Sequence, residues 1–521
     1  MQEVRKMARY FNVTGSCDPE KHYMVNLDSR IDAIKQYIDS GNYFAINKGR
    51  QYGKTTTINA LEQALQPDYT VVGLDFQIQV SSALFYDEES FSNAFAAAFT
   101  ECLALNHDQK LFELAQTELA EVSNLVSLFK KLSTLCGCSA KPIVLIIDEV
   151  DSASNNQVFL DFLAQLRGYY LTRNKRPTFQ SVILAGVHDI RNLRQKIRPD
   201  GEHRHNSPWN IASDFDVEMS FSPDDIAGML SEYENDHHTG MDLSDVAQGI
   251  YDYTSGYPVL VSWLCKLMDE SKHNWNREGI AVAHKDLIMK DSPLFESLIN
   301  KLEDDDELRN MIHEILFNGK SFMFNKRNAI ISSAAMYGFV KNQNGTTAIA
   351  NRIFETVIYE WFISCEATSS ELSTEGFADK NQFIVNGHLN MELVMEKFAE
   401  HFNDIYGEES VKFKENEGRK YFLLYLRPII NGVGNYYIEA QTRDMRRTDI
   451  IVDYLGEQFI IEMKIWHGDR YNEQGEQQLA EYLEYYHASK GYLLSFQFQS
   501  NKQIGTRKIS INGKTIIETI V

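Results

Sequence analysis

The residues Lys48-Gly-Arg-Gln-Tyr-Gly-Lys-Thr55 stand between an apolar run, Tyr43–Asn47, and a stretch with apolar residues at Ile58, Leu61 and Leu65. A strand, a glycine-bearing turn and a helix opening on Lys-Thr can hold a triphosphate. Free N–H groups and the positive end of the helix dipole face the anion there. Lys54 would reach the β- and γ-phosphates and the Thr55 hydroxyl would ligate Mg²⁺. Gly49, Gly53 and Thr56 complete this cofactor-binding set. The strict pattern places its first glycine where Lys48 stands, and the glycine arrives one residue late, at Gly49.

Two further groups carry carboxylates. The run Lys141–Asp151, KPIVLIIDEVD, is apolar until Asp148 and Glu149. At the C-terminal edge of a parallel sheet Asp148 would hold Mg²⁺ and Glu149 would orient the attacking water. Much later, TDIIVDY and QFIIEMKIW read as two strands around a turn at Gly456. Period-two alternation puts Glu462 and Lys464 on one face, and a hairpin brings Asp449 beside Glu462. Paired carboxylates suit Mg²⁺ or Mn²⁺, which polarises a phosphodiester and acidifies a water, while the lysine offsets charge. A cross-strand ion pair on a solvated sheet would need the same residues. Arg443, Arg446 and Arg447 add a local basic patch.

The elements that must position these groups fall into three regions. Residues 1–220 alternate strand-like runs (43–47, 70–76, 143–151 and 181–186) with helical stretches, as in an α/β parallel sheet. Residues 221–365 read as mostly helical, opening on Ser222-Pro223 with acidic residues in the first turn, a good helix start. That region closes on two short strands around Asn342–Gly345, an arrangement like a winged helix, with Lys326 and Arg327 at the start of a helix that could touch DNA. Residues 366–382 are rich in Ser, Thr and Glu and read as a linker. Residues 383–521 form a second α/β region, ordered α-β-β-β-α-β from the helix at 418–430.

At 43% hydrophobic and 24% charged, the 521 residues have the composition of a soluble globular protein. A net charge of −22 argues against coating nucleic acid without specificity, and leaves room for an acidic metal site with local basic patches. No apolar run is long enough to span a membrane, and the N-terminus lacks the pattern of a secretory signal. The six cysteines are scattered and read as reduced thiols in a cytoplasm; Cys136-Gly-Cys138 is too tight for a zinc knuckle.

The stretches GRQYGKTTT, IVLIIDEVDSAS, SVILAGVHDI, SPWNIA and YTSGYPVLV together resemble the AAA-like P-loop ATPases related to archaeal and signal-transduction ATPases with numerous domains, over roughly residues 20 to 360. The resemblance implies ATP as cofactor and tolerance of the missing first glycine. It implies His188 or Asp189 as sensor of the γ-phosphate, and Gly256 and Pro258 as the lid turn packing near the base. It offers Arg167, Arg173, Arg191 and Arg194 as arginine fingers, and it leaves a homo-oligomer open. Asp449, Glu462-Met-Lys464 and Gln478-x-x-x-Tyr482 resemble the PD-(D/E)XK nuclease superfamily over roughly residues 383 to 515. This likeness implies a catalytic role for Gln478, with Glu439 or Glu417 as an additional acid; Thr448 stands where that superfamily often has proline. The fusion implies an ATP-regulated nuclease acting on nucleic acid, DNA first, in defence against foreign DNA. The alternative is a nucleotide-dependent switch or scaffold whose C-terminal domain binds without cutting.

Overall fold

A computed structural model describes residues 9–79, 82–105, 108–153, 156–187, 209, 211–318, 320–367, 370–406, 415–430, 434–441, 447–455, 457–466, 469–486, 488–498 and 504–521. The chain divides into two compact units, one of residues 1–283 with 332–339, the other of 284–331 with 340–521.

The first unit begins with α1 (Asp28–Asp39), β1 (Phe44–Asn47), α2 (Lys54–Leu65), β2 (Thr70–Asp75), α3 (Glu88–Leu105), α4 (Gln109–Glu118) and α5 (Leu125–Cys138). It continues through β3 (Ile143–Asp148), α6 (Gln157–Leu171), β4 (Ser181–Gly186), α7 (Pro223–His237), α8 (Leu243–Thr254) and α9 (Pro258–Glu270). Its four strands are parallel in the order β1-β4-β3-β2. Every residue of β3 and β4 is buried. Helices cover both faces of such a sheet, so its strands read as continuous apolar runs without polar alternation. Beyond β1, Ser213 bridges Phe44 in parallel. The strands expected from sequence are these four. The helix expected at Ser222-Pro223 is α7, where Ser222 and Asp225 form a reciprocal capping box worth about 1 kcal/mol.

α10 (Arg277–Ile288) crosses into the second unit, which holds α11 (Pro293–Asp304) and α12 (Asp306–Asn318). α13 (Ala329–Met336) crosses the division again, and β5 (Val340–Gln343) and β6 (Thr346–Ile349) follow. Asn344 and Gly345, both at positive φ, make the tight turn that the Asn-Gly pair foretold. Lys326 and Arg327 lie in the turn ahead of α13.

After α14 (Arg352–Ala367) comes α15 (Glu371–Asp379), inside the stretch whose composition suggested a linker. This stretch is packed structure: Leu372 is fully buried, and a side chain on Gly376 would meet the Tyr425 carbonyl oxygen at 2.2 Å. A one-turn apolar contact is too short to register in a composition otherwise polar.

The short pair β7 (Ile384–Val385) and β8 (His388–Leu389) precedes α16 (Met391–Tyr406) and α17 (Glu415–Ile430). The remaining elements are β9 (Gly434–Gln441), β10 (Arg447–Tyr454), β11 (Glu457–Ile465), α18 (Asp469–Tyr485), β12 (Lys490–Phe496), β13 (Gly505–Ile511) and β14 (Lys514–Ile520). From α17 to β12 the element order is the α-β-β-β-α-β read from the sequence. The sheet order is β13-β14-β12-β11-β10-β9. β9, β10 and β11 form an antiparallel meander, α18 crosses to place β12 parallel to β11, and β14 adds a further parallel strand. α18 starts well before the segment expected for it, because its first turns are polar and carry no apolar period. Its Leu479, Ala480 and Leu483 pack with Ile460, Leu493 and Ile516 of the sheet.

Candidate functional site

In a parallel sheet all strands end on one edge, and the chemistry-bearing residues of the first unit gather there. β1 leads into the loop at 48–53 and β3 ends at Asp148, with β4 between them. Gln51 and Gly53 take left-handed backbone conformations, φ 56° and 77°, and Gly53 caps α2. Turns of this kind set successive N–H groups around a concavity that accepts anions.

Lys54 opens α2 and is 7% exposed. Its ammonium donates to the carbonyls of Lys48 and Gly49, at 2.9 and 3.0 Å. Burial lowers its pKa from the ordinary lysine value, and the nearby Glu149, Asp148 and Asp151 partly oppose that shift. One residue on, the Thr55 hydroxyl donates to Asp148 Oδ2 at 2.9 Å. This contact spans 93 residues of sequence and unites the two groups assigned to magnesium.

Asp148 is itself 7% exposed, and its other oxygen accepts the Glu149 N–H at 2.9 Å. Glu149 has φ 53°, a conformation that costs a non-glycine residue on the order of 1 kcal/mol and tends to persist at functional positions. Burial first and Asp148 second raise the pKa of its carboxyl; Lys54 pulls the other way.

Not every expected residue joins this group. The Thr56 hydroxyl accepts the Cys17 N–H at 3.0 Å and so ties α2 to the N-terminal segment. Pro258 opens α9, and its Cβ lies 3.9 Å from where a Gly53 Cβ would be. Arg173 donates to the Gly41 carbonyl at 3.0 Å and lies over Tyr170. Since α6 runs back from the loop edge, Arg173 and Arg167 fall toward the opposite end of the sheet, and Gly41 precedes β1. His188, Asp189, Arg191 and Arg194 lie outside the described residues.

The sequence reading gave no role to Asp151, whose Oδ2 accepts the Val187 N–H at 2.5 Å. A side chain on Gly186 would meet Val150 at 2.9 Å and Asp151 at 3.0 Å. That close passage follows from the pairing of β3 with β4, which no local pattern encodes. Nor did the sequence single out Tyr52 and Tyr257, whose rings meet edge-on beside the loop at 4.6 Å.

A model of the AAA-like domain matches residues 16–360. The chain belongs to the AAA-like domain family. ATP is the ligand this family implies, and the Thr55–Asp148 pair supplies the oxygen donors that magnesium prefers. Among solved structures, a Walker-type ATPase of Pyrococcus abyssi aligns at 13% identity over 67% of this chain and 99% of its own, with TM-score 0.44. The ORC1 protein of Aeropyrum pernix, solved in complex with DNA, aligns at 12% identity over 65% and 93%, with TM-score 0.32. The ORC2 protein of the same organism aligns at 10% identity over 64% and 93%, with TM-score 0.35. Likenesses this distant say nothing of function. No curated protein matches the chain.

The AAA-like domain match ends before the second unit's large sheet. There the ladder pairs Ile450 with Ile461 and with Ile438. One step along the same registers, positions 439, 449 and 462 fall in one row across β9, β10 and β11. Glu439, Asp449 and Glu462 are therefore neighbours by backbone placement. The side chains of Glu439 and Asp449 lie outside what the structure describes, as does that of Arg447; Arg443 and Arg446 lie outside the described residues.

Glu462 is 1% exposed, and its Oε1 takes the Lys464 ammonium at 3.0 Å. Gly475 of α18 leaves room for the lysine stem, since a side chain there would meet Lys464 Cγ at 3.0 Å. Gln478 donates to the Tyr482 hydroxyl at 2.7 Å. Among the described residues, no group of three or more His, Cys, Asp or Glu is gathered as a metal cluster, and no helix is long and apolar enough to cross a membrane.

Proposed function

We propose that this protein binds ATP with magnesium at Gly49–Thr55 and hydrolyses it, and that its C-terminal unit is a PD-(D/E)XK-like, metal-dependent DNA nuclease governed by the nucleotide. The observation that carries the first half is the 2.9 Å contact between the Thr55 hydroxyl and Asp148, with Lys54 buried beside it. Lys54 would exchange its carbonyl partners for the β- and γ-phosphate oxygens. Thr55 and Asp148 would hold Mg²⁺, which supplies charge neutralisation on the phosphates. Glu149 would orient the attacking water and take its proton, and a carboxyl whose pKa is raised above the ordinary range is the stronger base for that work. Proximity to Gly53 suggests that Pro258 lines the same pocket.

For the second half the support is the row of positions 439, 449 and 462 together with the buried Glu462–Lys464 pair. Glu439, Asp449 and Glu462 would hold Mg²⁺ or Mn²⁺, with Lys464 left to the scissile phosphate and Gln478 positioned from α18. Foreign DNA is the substrate class that this pairing of activities suits, and a reducing cytoplasm fits the free cysteines. A net charge of −22 favours a second reading, in which the C-terminal unit is a nucleotide-dependent scaffold that does not cut.

Two assays separate these readings. Titration with ATP should give saturable, Mg²⁺-dependent binding, and its absence would remove the ATPase. Cleavage of duplex and single-stranded DNA with Mn²⁺, with and without ATP, should vanish in Lys464→Ala. Persistent ATP binding with no cleavage of any DNA or RNA would leave the scaffold.

A further inference from the structure

Gly49 stands one residue after the position where the strict pattern has its first glycine. Gly49 is absent from the positive-φ positions, so its backbone does not call for glycine. A Cβ there would lie 3.2 Å from the Tyr337 carbonyl oxygen, so that peptide would have to give by a few tenths of an ångström, and 3.4 Å from the Tyr257 hydroxyl, in ordinary contact. That hydroxyl donates to the carbonyl of the next residue, Arg50, at 2.5 Å.

Tyr257 is 3% exposed, so its ring is held in place by the packing around it. Its ring packs edge-on to Tyr52, whose own hydroxyl lies 2.6 Å from Ser220 Oγ, and the Lys48 ammonium lies over Tyr52 at 5.5 Å. Carbonyl and N–H of one trans peptide point in opposite directions. Fixing the Arg50 carbonyl on Tyr257 therefore fixes the Gln51 N–H away from it, at the start of the left-handed turn through Gln51 and Gly53.

We propose that Tyr257 is a positioning residue for the nucleotide: by holding the Arg50 peptide it shapes the phosphate loop, the task that the glycine missing at position 48 performs in the strict pattern. The absence of a side chain at Gly49 eases the close approach of the Tyr337 peptide. The proposal rests on the reading of this loop as the ATP site.

The test uses the full chain and a fluorescent ATP analogue with Mg²⁺, comparing wild type with Lys54→Ala, Tyr257→Phe, Gly49→Ala and the double variant of the last two. Tyr257→Phe keeps the ring and removes one hydrogen bond, so affinity should fall about tenfold, by more than the small fall in nucleotide-free melting temperature accounts for, and KM should rise by more than kcat falls. Gly49→Ala presses on the Tyr337 peptide beside the same loop, so its effect and that of Tyr257→Phe should be less than additive in the double variant. Wild-type affinity in Tyr257→Phe, with binding lost in Lys54→Ala, would overturn the proposal and spare the ATP site. A loss in Tyr257→Phe that merely tracks a fall in melting temperature and adds fully to Gly49→Ala would also overturn it. Failure of wild type to bind ATP would remove the site itself.

Discussion

Two lysines illustrate how differently the two units hold charge. Lys54 gives its hydrogen bonds to neutral carbonyls, and the carboxylates around it act at longer range. Lys464 rests directly on the carboxylate of Glu462, its neighbour along the same strand face. A buried ammonium on neutral acceptors keeps its attraction for an incoming anion, whereas one paired with a carboxylate has already spent most of it. The first arrangement suits capture of a polyphosphate. The second suits a group that becomes available once a metal ion takes over the carboxylate.

Breaking the comparison at Lys54 should have the largest effect. Lys54→Ala removes the charge that meets the phosphates, and ATP affinity measured by titration should drop by at least about 100-fold, since several charge-assisted bonds go together. Unchanged affinity would end the proposed cradle.

At Lys464 the expected cost is to folding as well as to cleavage. Lys464→Ala strands Glu462 without this cation at 1% exposure, and loss of one partner of a buried pair costs about 3 kcal/mol or more. Urea unfolding should show it. Mn²⁺ should restore more stability to the variant than it adds to wild type; equal shifts would mean that no metal reaches Glu462.

A smaller effect sharpens the role of Glu149. With its carboxyl pKa raised by burial and by Asp148, the residue gains a proton at a higher pH than an ordinary glutamate does. Protonated, it cannot take a proton from water, so hydrolysis should fall as pH drops through that raised value and recover above it. The pH profile of kcat should lose this acid limb in Glu149→Gln, whatever activity remains. An acid limb that persists in the variant would assign it to another group.

The least effect is expected at Ser222→Ala, which deletes the capping box of α7 and should cost about 1 kcal/mol while leaving ATP affinity intact. A large loss of affinity there would show that the loop answers to the helical region broadly and not through Tyr257.

How much of this was legible in advance depended on the range of the interactions. The four strands of the first unit are written as apolar runs, and Gly53-Lys54-Thr55 and Asp148-Glu149 stand out by residue type. The hairpin turn at Asn344-Gly345 follows from residues that accept positive φ. Illegible were α15 inside a polar stretch, the polar first turns of α18, and the Thr56 bond to the N-terminal segment. α15 packs against Tyr425 and Thr56 bonds to the Cys17 N–H, partners far along the chain, and the first turns of α18 carry no apolar period.

By itself the sequence determined the strands of the first sheet, the capped start of α7, and which residues can carry phosphate or metal chemistry, because backbone preference and side-chain period act over a few residues. Only the tertiary structure decided that β4 runs between β1 and β3, that Thr55 meets Asp148 across 93 residues, and that Tyr257 and the Tyr337 peptide come against Gly49. Those facts arise from strand order and close packing between distant segments, which a linear pattern does not record.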